Sequence, residues 1–125
     1  MYIEIGEDKS IHLNRGDQLI LWLTNSDSVF QASDTFKFSI MKKGDSNTVY
    51  LQKTFTVEEE TDSFQLILTP EETRIGDPIR SGSRTYWYEI EYNGVDTLIG
   101  AGPDGGKEFV LYPEAATKAN QEEGM

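Results

Sequence analysis

The chain has 125 residues, room for one domain around a single core, and no cysteine, which excludes a disulfide framework, a thiolate nucleophile and a thiolate metal site. Its 22 acids against 11 bases leave a formal charge of −11, a surface that repels duplex DNA and anionic membranes. No stretch approaches the roughly 20 apolar residues of a membrane span, and Met1-Tyr2-Ile3-Glu4-Ile5 lacks the basic start of a secretion signal. A soluble chain made in the cytoplasm is expected.

Ile3 and Ile5 predict a short opening strand, closed by Gly6-Glu7-Asp8-Lys9. Ile11 and Leu13 resume the alternation until Asn14-Arg15-Gly16-Asp17 turns the chain. Leu19, Leu21 and Leu23 fall on one face of the next strand, with Ile20, Trp22 and Thr24 on the other. Apolar on both sides, that strand is expected at a central position or under a covered outer face. Residues 25–34 read as a polar loop with Val29 and Phe30 tucked beneath it. Phe36, Phe38 and Ile40 then point inward, opposed by Thr35, Lys37 and Ser39. A turn over Lys42-Lys43-Gly44-Asp45-Ser46-Asn47 leads to a strand with Val49, Leu51, Phe55 and Val57 on one face. Lys53 interrupts that row, which predicts a sheet edge, where charge discourages edge-to-edge pairing.

Glu58-Glu59-Glu60-Thr61-Asp62 is an acidic turn, and Phe64, Leu66 and Leu68 form the inward row of another strand. Thr69-Pro70-Glu71-Glu72 has the form of a capping box, with Thr69 as cap, Pro70 where its missing N–H is harmless, and Glu72 reaching back. Pro78 and Gly82 limit the capped segment to a turn or two, too short for a core helix. Next comes a hairpin: the aromatic arm Thr85-Tyr86-Trp87-Tyr88-Glu89-Ile90-Glu91-Tyr92, the turn Asn93-Gly94, and the return Thr97-Leu98-Ile99-Gly100. Asn-Gly suits a type I′ turn because both central residues need positive φ. Residues 100–106, rich in glycine, form a loop. Phe109 and Leu111, with Lys107, alternate into a last strand that Pro113 ends.

Short strands at even spacing with almost no helix predict an all-β fold, an antiparallel β-sandwich of about seven to nine strands, with a small barrel as the competing architecture. One domain over residues 1–113 and a flexible tail over 114–125 are expected.

No catalytic, cofactor or metal site emerges. The acids at Glu58, Glu59, Glu60 and Asp62, and at Glu71, Glu72 and Asp77, lack the ligand spacing of a calcium loop. His12 has no second histidine for a zinc or general-base pair, and there is no Gly-x-Ser-x-Gly elbow. Arg15-Gly16-Asp17 matches the integrin-binding tripeptide by letter and reads as a turn. The aromatics offer more. Trp87 lies opposite Tyr86, Tyr88, Ile90 and Tyr92, and Trp22 opposite the leucines, so both tryptophans are candidates for outer faces. There they would stack on sugar rings, lie under a crossing loop, or meet another subunit.

The order of segments carries a resemblance: Arg15-Gly16-Asp17 before an apolar strand, Phe36-Lys37-Phe38, Leu68-Thr69-Pro70-Glu71-Glu72-Thr73, Tyr86-Trp87-Tyr88-Glu89-Ile90, Thr97-Leu98-Ile99-Gly100 and Phe109-Val110-Leu111-Tyr112-Pro113. Over most of residues 11–113 the chain resembles the immunoglobulin-like N-terminal domain of phage baseplate upper proteins and related small prophage proteins of Gram-positive bacteria. It departs from that pattern in a stretched corner between Arg74 and Arg84. The resemblance implies an immunoglobulin-like sandwich, and since the residues offer no catalytic machinery, a protein that is not an enzyme and has no cofactor is expected. It further implies assembly with other virion proteins or with itself, in a baseplate or tail. A carbohydrate-binding module is the alternative. A tyrosine just past the crossing between sheets can bond back to the turn, as in a tyrosine corner, and Tyr86 and Tyr88 are the candidates, each equally readable as a plain buried aromatic.

Overall fold

A computed structural model of the chain describes residues 10–24, 29–99 and 107–114. Alternating side chains give eight strands and, among the described residues, no helix: β1 (Ile11–Asn14), β2 (Leu19–Thr24), β3 (Thr35–Lys42), β4 (Asp45–Thr56), β5 (Ser63–Leu68), β6 (Arg84–Tyr92), β7 (Asp96–Ile99) and β8 (Lys107–Tyr112). The larger sheet runs β1-β8-β6-β3-β4, and the smaller pairs β2 with β5. The two sheets pack face to face, so the protein is an all-β sandwich. The expected opening strand at Ile3 and Ile5 lies outside the described residues.

The core fills from the inward rows. Phe36, Phe38, Ile40, Tyr88, Ile90, Phe109 and Leu111 of the large sheet meet Leu19, Leu21, Leu66 and Leu68 of the small one. Phe64 of β5 stacks on Phe36 at 5.4 Å between ring centres, and Phe38 stacks on Tyr88 at 5.6 Å. Such pairs add about 0.5–1.5 kcal/mol each beyond their area. Phe30, beneath the loop, packs edge-on against Phe36 at 5.2 Å, so the apolar plug enters the core.

Both turns with strong local signatures form as the residues predict. Asn93 and Gly94 have φ of 52° and 70°, and the Val95 N–H donates to the Tyr92 carbonyl at 3.1 Å. The Thr69 N–H donates to Glu72 Oε1 at 2.8 Å while the Glu72 N–H donates to Thr69 Oγ1 at 3.3 Å. This reciprocal box caps a single turn.

Several expectations need correction. The sandwich is not wholly antiparallel: β1 runs parallel to β8, with Ile11 opposite Phe109 and Leu13 opposite Leu111. Alternation reports which side chains face inward and is blind to strand direction. Among the described residues β2 pairs only with β5, so it is not central, and its outer face carries Trp22 at 43% exposure. The turn between β3 and β4 is tighter than expected, because Lys42 already faces Asp45 and only Lys43-Gly44 lies between, with Gly44 at φ 83°. Val49 is not in the core. Ile40 faces Leu51 but Met41 faces Val49, so a bulge around Tyr50 breaks the period of two and leaves Val49 46% exposed. At the other end, Glu114 pairs with Arg15 at 2.8 Å, and the rest of the expected tail lies outside the described residues.

β7 and β8 lie along the same side of β6. Ile90 faces Ile99, and Tyr88 faces Lys107. They are therefore two lengths of one strand line along β6.

Candidate functional site

On the outer face of the large sheet, pairing aligns Val49, Met41, Trp87 and Glu108 across β4, β3, β6 and β8. Met41 is only 2% exposed and Val110 6%, although both lie outside the core between the sheets. Trp87 is half-buried beside them, while Val49 and Tyr112 are exposed. What reaches the surface of this face is therefore Val49, Tyr112 and part of Trp87, lying over the covered Met41 and Val110. Polar residues border it. Gln52 Nε2 donates to Ser39 Oγ at 3.2 Å, Lys37 lies 3.5 Å from Glu91, and Lys43 lies 3.3 Å from Glu108. His12 Nδ1 and the Tyr112 hydroxyl share a 2.9 Å hydrogen bond, their rings stacked at 6.0 Å. Glu89 sits two residues from Trp87 on the same face. Burial, and then the neighbouring Glu91 carboxylate, push its carboxyl above the usual range.

Trp22 occupies the outer face of the small sheet, opposite Gln65, with Ile20 opposite Ile67 beside it. The core lies between the two sheets, so the two tryptophans do not converge on one site. The predicted tyrosines also separate. Tyr88 is fully buried between Phe38 and Phe109, with ring centres at 5.6 and 6.4 Å. Tyr86 reaches the end of the sandwich, where Arg84 Nη1 lies 3.5 Å from its hydroxyl. A Cβ added to Gly76 would collide with that same hydroxyl. Tyr86 is thus the tyrosine that touches the stretched corner.

Two polar centres escaped the sequence reading. Arg15, in the turn after β1, is 7% exposed. Its guanidinium donates to the carbonyls of Arg74 at 2.9 Å, Ile75 at 3.2 Å and Gly76 at 2.9 Å, and to Glu114 Oε1 at 2.8 Å. Its flat fork of donors can satisfy several acceptors at once. Thr73, fully buried, accepts the Gly16 N–H at 3.1 Å, and its hydroxyl faces the Asp17 and Pro70 carbonyls at 2.8 and 3.0 Å. The Arg-Gly-Asp turn is therefore clamped to the corner, with its arginine turned inward. The signal lay in a turn arginine followed by a Gly-Asp bend, but its partners are about sixty and a hundred residues away.

Lys53 is the second centre. It lies on β4, an edge strand, as its interruption of the apolar row predicted. Its ammonium turns inward, donating to the Ile67 carbonyl at 3.0 Å and Glu72 Oε1 at 2.8 Å, and so ties β4 to β5 across the open side of the sandwich. Burial raises the Glu72 carboxyl, but the bonds from Lys53 and the Thr69 N–H outweigh it and hold it below the usual range. Asp34 accepts hydrogen bonds from the Tyr92 hydroxyl, the Gln31 N–H at 2.9 Å and Asn93 Nδ2 at 3.2 Å; the first two hold its carboxyl below the usual range against burial, and Asn93 adds least.

Among the described residues no three His, Cys, Asp or Glu side chains gather as metal ligands. A shallow, open depression is lined by Thr56, Val57, Glu58, Glu59, Thr61 and Phe64. No protein-family model matches the chain, and comparison with curated proteins and with solved structures returns no match.

Proposed function

We propose that this protein is a non-enzymatic structural module that works by protein–protein assembly, in the baseplate or tail of a phage or prophage particle. The observation that carries the assembly reading is the outer face of the large sheet, where Val49 and Tyr112 are exposed and Trp87 is half-buried over the covered Met41 and Val110. A half-buried tryptophan over apolar neighbours, rimmed by Glu89, Glu91 and Glu108, has the composition of an interface centre with a polar border. The resemblance in segment order to phage baseplate domains supports the virion setting. The strand order supports an immunoglobulin-like assignment. β1-β8-β6-β3-β4 facing β2-β5 corresponds to the arrangement in which the sixth and last framework strands share a sheet with the third and the second pairs in the other.

The test is incorporation. The chain should co-sediment with assembled particles from an induced lysate, and Trp87→Ala should release it into the soluble fraction while its melting transition stays cooperative. Particles that never contain the chain would defeat the virion reading. A carbohydrate-binding module stays as a second reading because Trp22 is exposed beside the polar Gln65. It requires a change in tryptophan fluorescence on adding cell-wall glycan that disappears in Trp22→Ala.

A further inference from the structure

We infer that the β4 edge is a self-association site, where a second copy of this chain adds antiparallel about a two-fold axis near Thr54. The inference rests on the assembly reading and specifies its partner. β4 spans twelve residues, and among the described residues it has a strand on one side only, β3. Its pairing with β3 is in continuous register from Leu51 to Thr56, downstream of the bulge at Tyr50, so this length of backbone is regular. Unpaired N–H and C=O groups along such an edge are a template for another strand.

The usual guards are absent from this stretch. It contains no proline, and its one charge, Lys53, is bonded inward to Ile67 and Glu72. Of the other edges among the described residues, β2 with six residues is half as long as β4, and the rest are shorter still or capped. β1 has four residues, and on β5 the Lys53 ammonium sits on the Ile67 carbonyl.

Charge selects the occupant. Two copies carrying −11 each repel wherever acids meet, yet residues 46–57 hold no aspartate or glutamate. An antiparallel pair about a two-fold axis is also its own complement, so no separate docking strand has to be supplied. With the axis at Thr54, that residue faces its counterpart, and Gln52 faces Thr56 of the second copy. Uncharged cross-strand pairs that include β-branched threonines favour pairing. The same geometry joins the two large sheets edge to edge and continues the Val49–Met41–Trp87 face across the seam.

The experiment is sedimentation equilibrium of the full chain over a wide range of concentration, for wild type, Thr54→Lys, Gln52→Lys and the control Thr24→Lys. Thr24 is exposed at the end of β2. The wild type and the control should approach twice 14.1 kDa as concentration rises. Thr54→Lys, which sets two ammonium groups against each other across the axis, should weaken the dimer by about tenfold or more. Gln52→Lys gives the same readout should the first variant fail to fold. A wild type that stays monomeric at every concentration overturns the inference, and so does a dimer indifferent to both β4 lysines. A monomer that still enters particles removes only the self-pairing, whereas a β4 dimer that never enters them removes only the virion setting.

Discussion

Replacing Arg15 with alanine should be among the most damaging single changes available to this fold. Its guanidinium donates four hydrogen bonds, three to consecutive carbonyls of the corner and one to Glu114, from a side chain that is nearly buried. At about 1 kcal/mol net for each bond the loss is about 4 kcal/mol, with the charge-assisted bond to Glu114 the strongest. Arg74 Nε, 3.4 Å from the same carboxylate, moderates the cost of leaving Glu114 behind. A domain of this size is stable by about 5–15 kcal/mol, so the variant should lose a large fraction of that margin. Urea denaturation followed by tryptophan fluorescence measures it, with an unchanged slope showing that the loss is in stability and not in the denatured ensemble. Arg15→Lys should recover only part, because one ammonium cannot span three carbonyls and a carboxylate. A double-mutant cycle with Glu114→Gln should return a coupling of about 1–3 kcal/mol. A cost for Arg15→Ala below about 1 kcal/mol would show the clamp to be incidental, since that is the scale of an ordinary surface change.

Gly76→Ala combines a left-handed backbone with a collision against the Tyr86 hydroxyl and should cost about 2–4 kcal/mol. Gly44→Ala, at φ 83° with open space around it, should cost only about 1–2 kcal/mol, and parallel thermal melts separate the two. Glu72 is held below the ordinary carboxylate range, so its contribution is present above that range and is lost as pH falls through its native value. The stability gap between wild type and Glu72→Gln, from melts at descending pH, should therefore close in acid. Glu89 is shifted the other way: the folded state holds its proton more tightly, and stability falls as pH rises from the unfolded value through the folded one. Glu89→Gln should accordingly be more stable than wild type at neutral pH and lose that advantage in acid, and equal melts at both pH values would contradict the burial of that carboxyl.

What could be read from the chain alone was local. The capping box at Thr69 and Glu72 and the turn at Asn93 and Gly94 are complete within four residues; the first formed with its two reciprocal bonds and the second with positive φ at both residues, as predicted. The inward rows were also legible, because a period of two needs no knowledge of the partner strand. The losses occurred where a distant partner decides. The parallel direction of β1 depends on β8, about a hundred residues away, and Val49 left the core because β3 slips by one residue against β4. Arg15 drew attention only as a tripeptide, since nothing nearby announces the carbonyls of Arg74, Ile75 and Gly76 as its acceptors. Trp87 and Trp22 were placed on outer faces by alternation, but alternation could not foretell that Met41 and Val110 would be covered beside Trp87.

The parallel seam between β1 and β8 bears on how the protein answers to force. In parallel strands the entering end of one lies far from the leaving end of the other, so tension applied at Ser10 and Glu114 loads the four aligned residue pairs together, in shear. An antiparallel arrangement of the same strands would open one rung at a time. The Arg15–Glu114 bond joins the same two segments just past that seam and shares the load with those rungs. A domain fastened in this way resists being drawn out lengthwise.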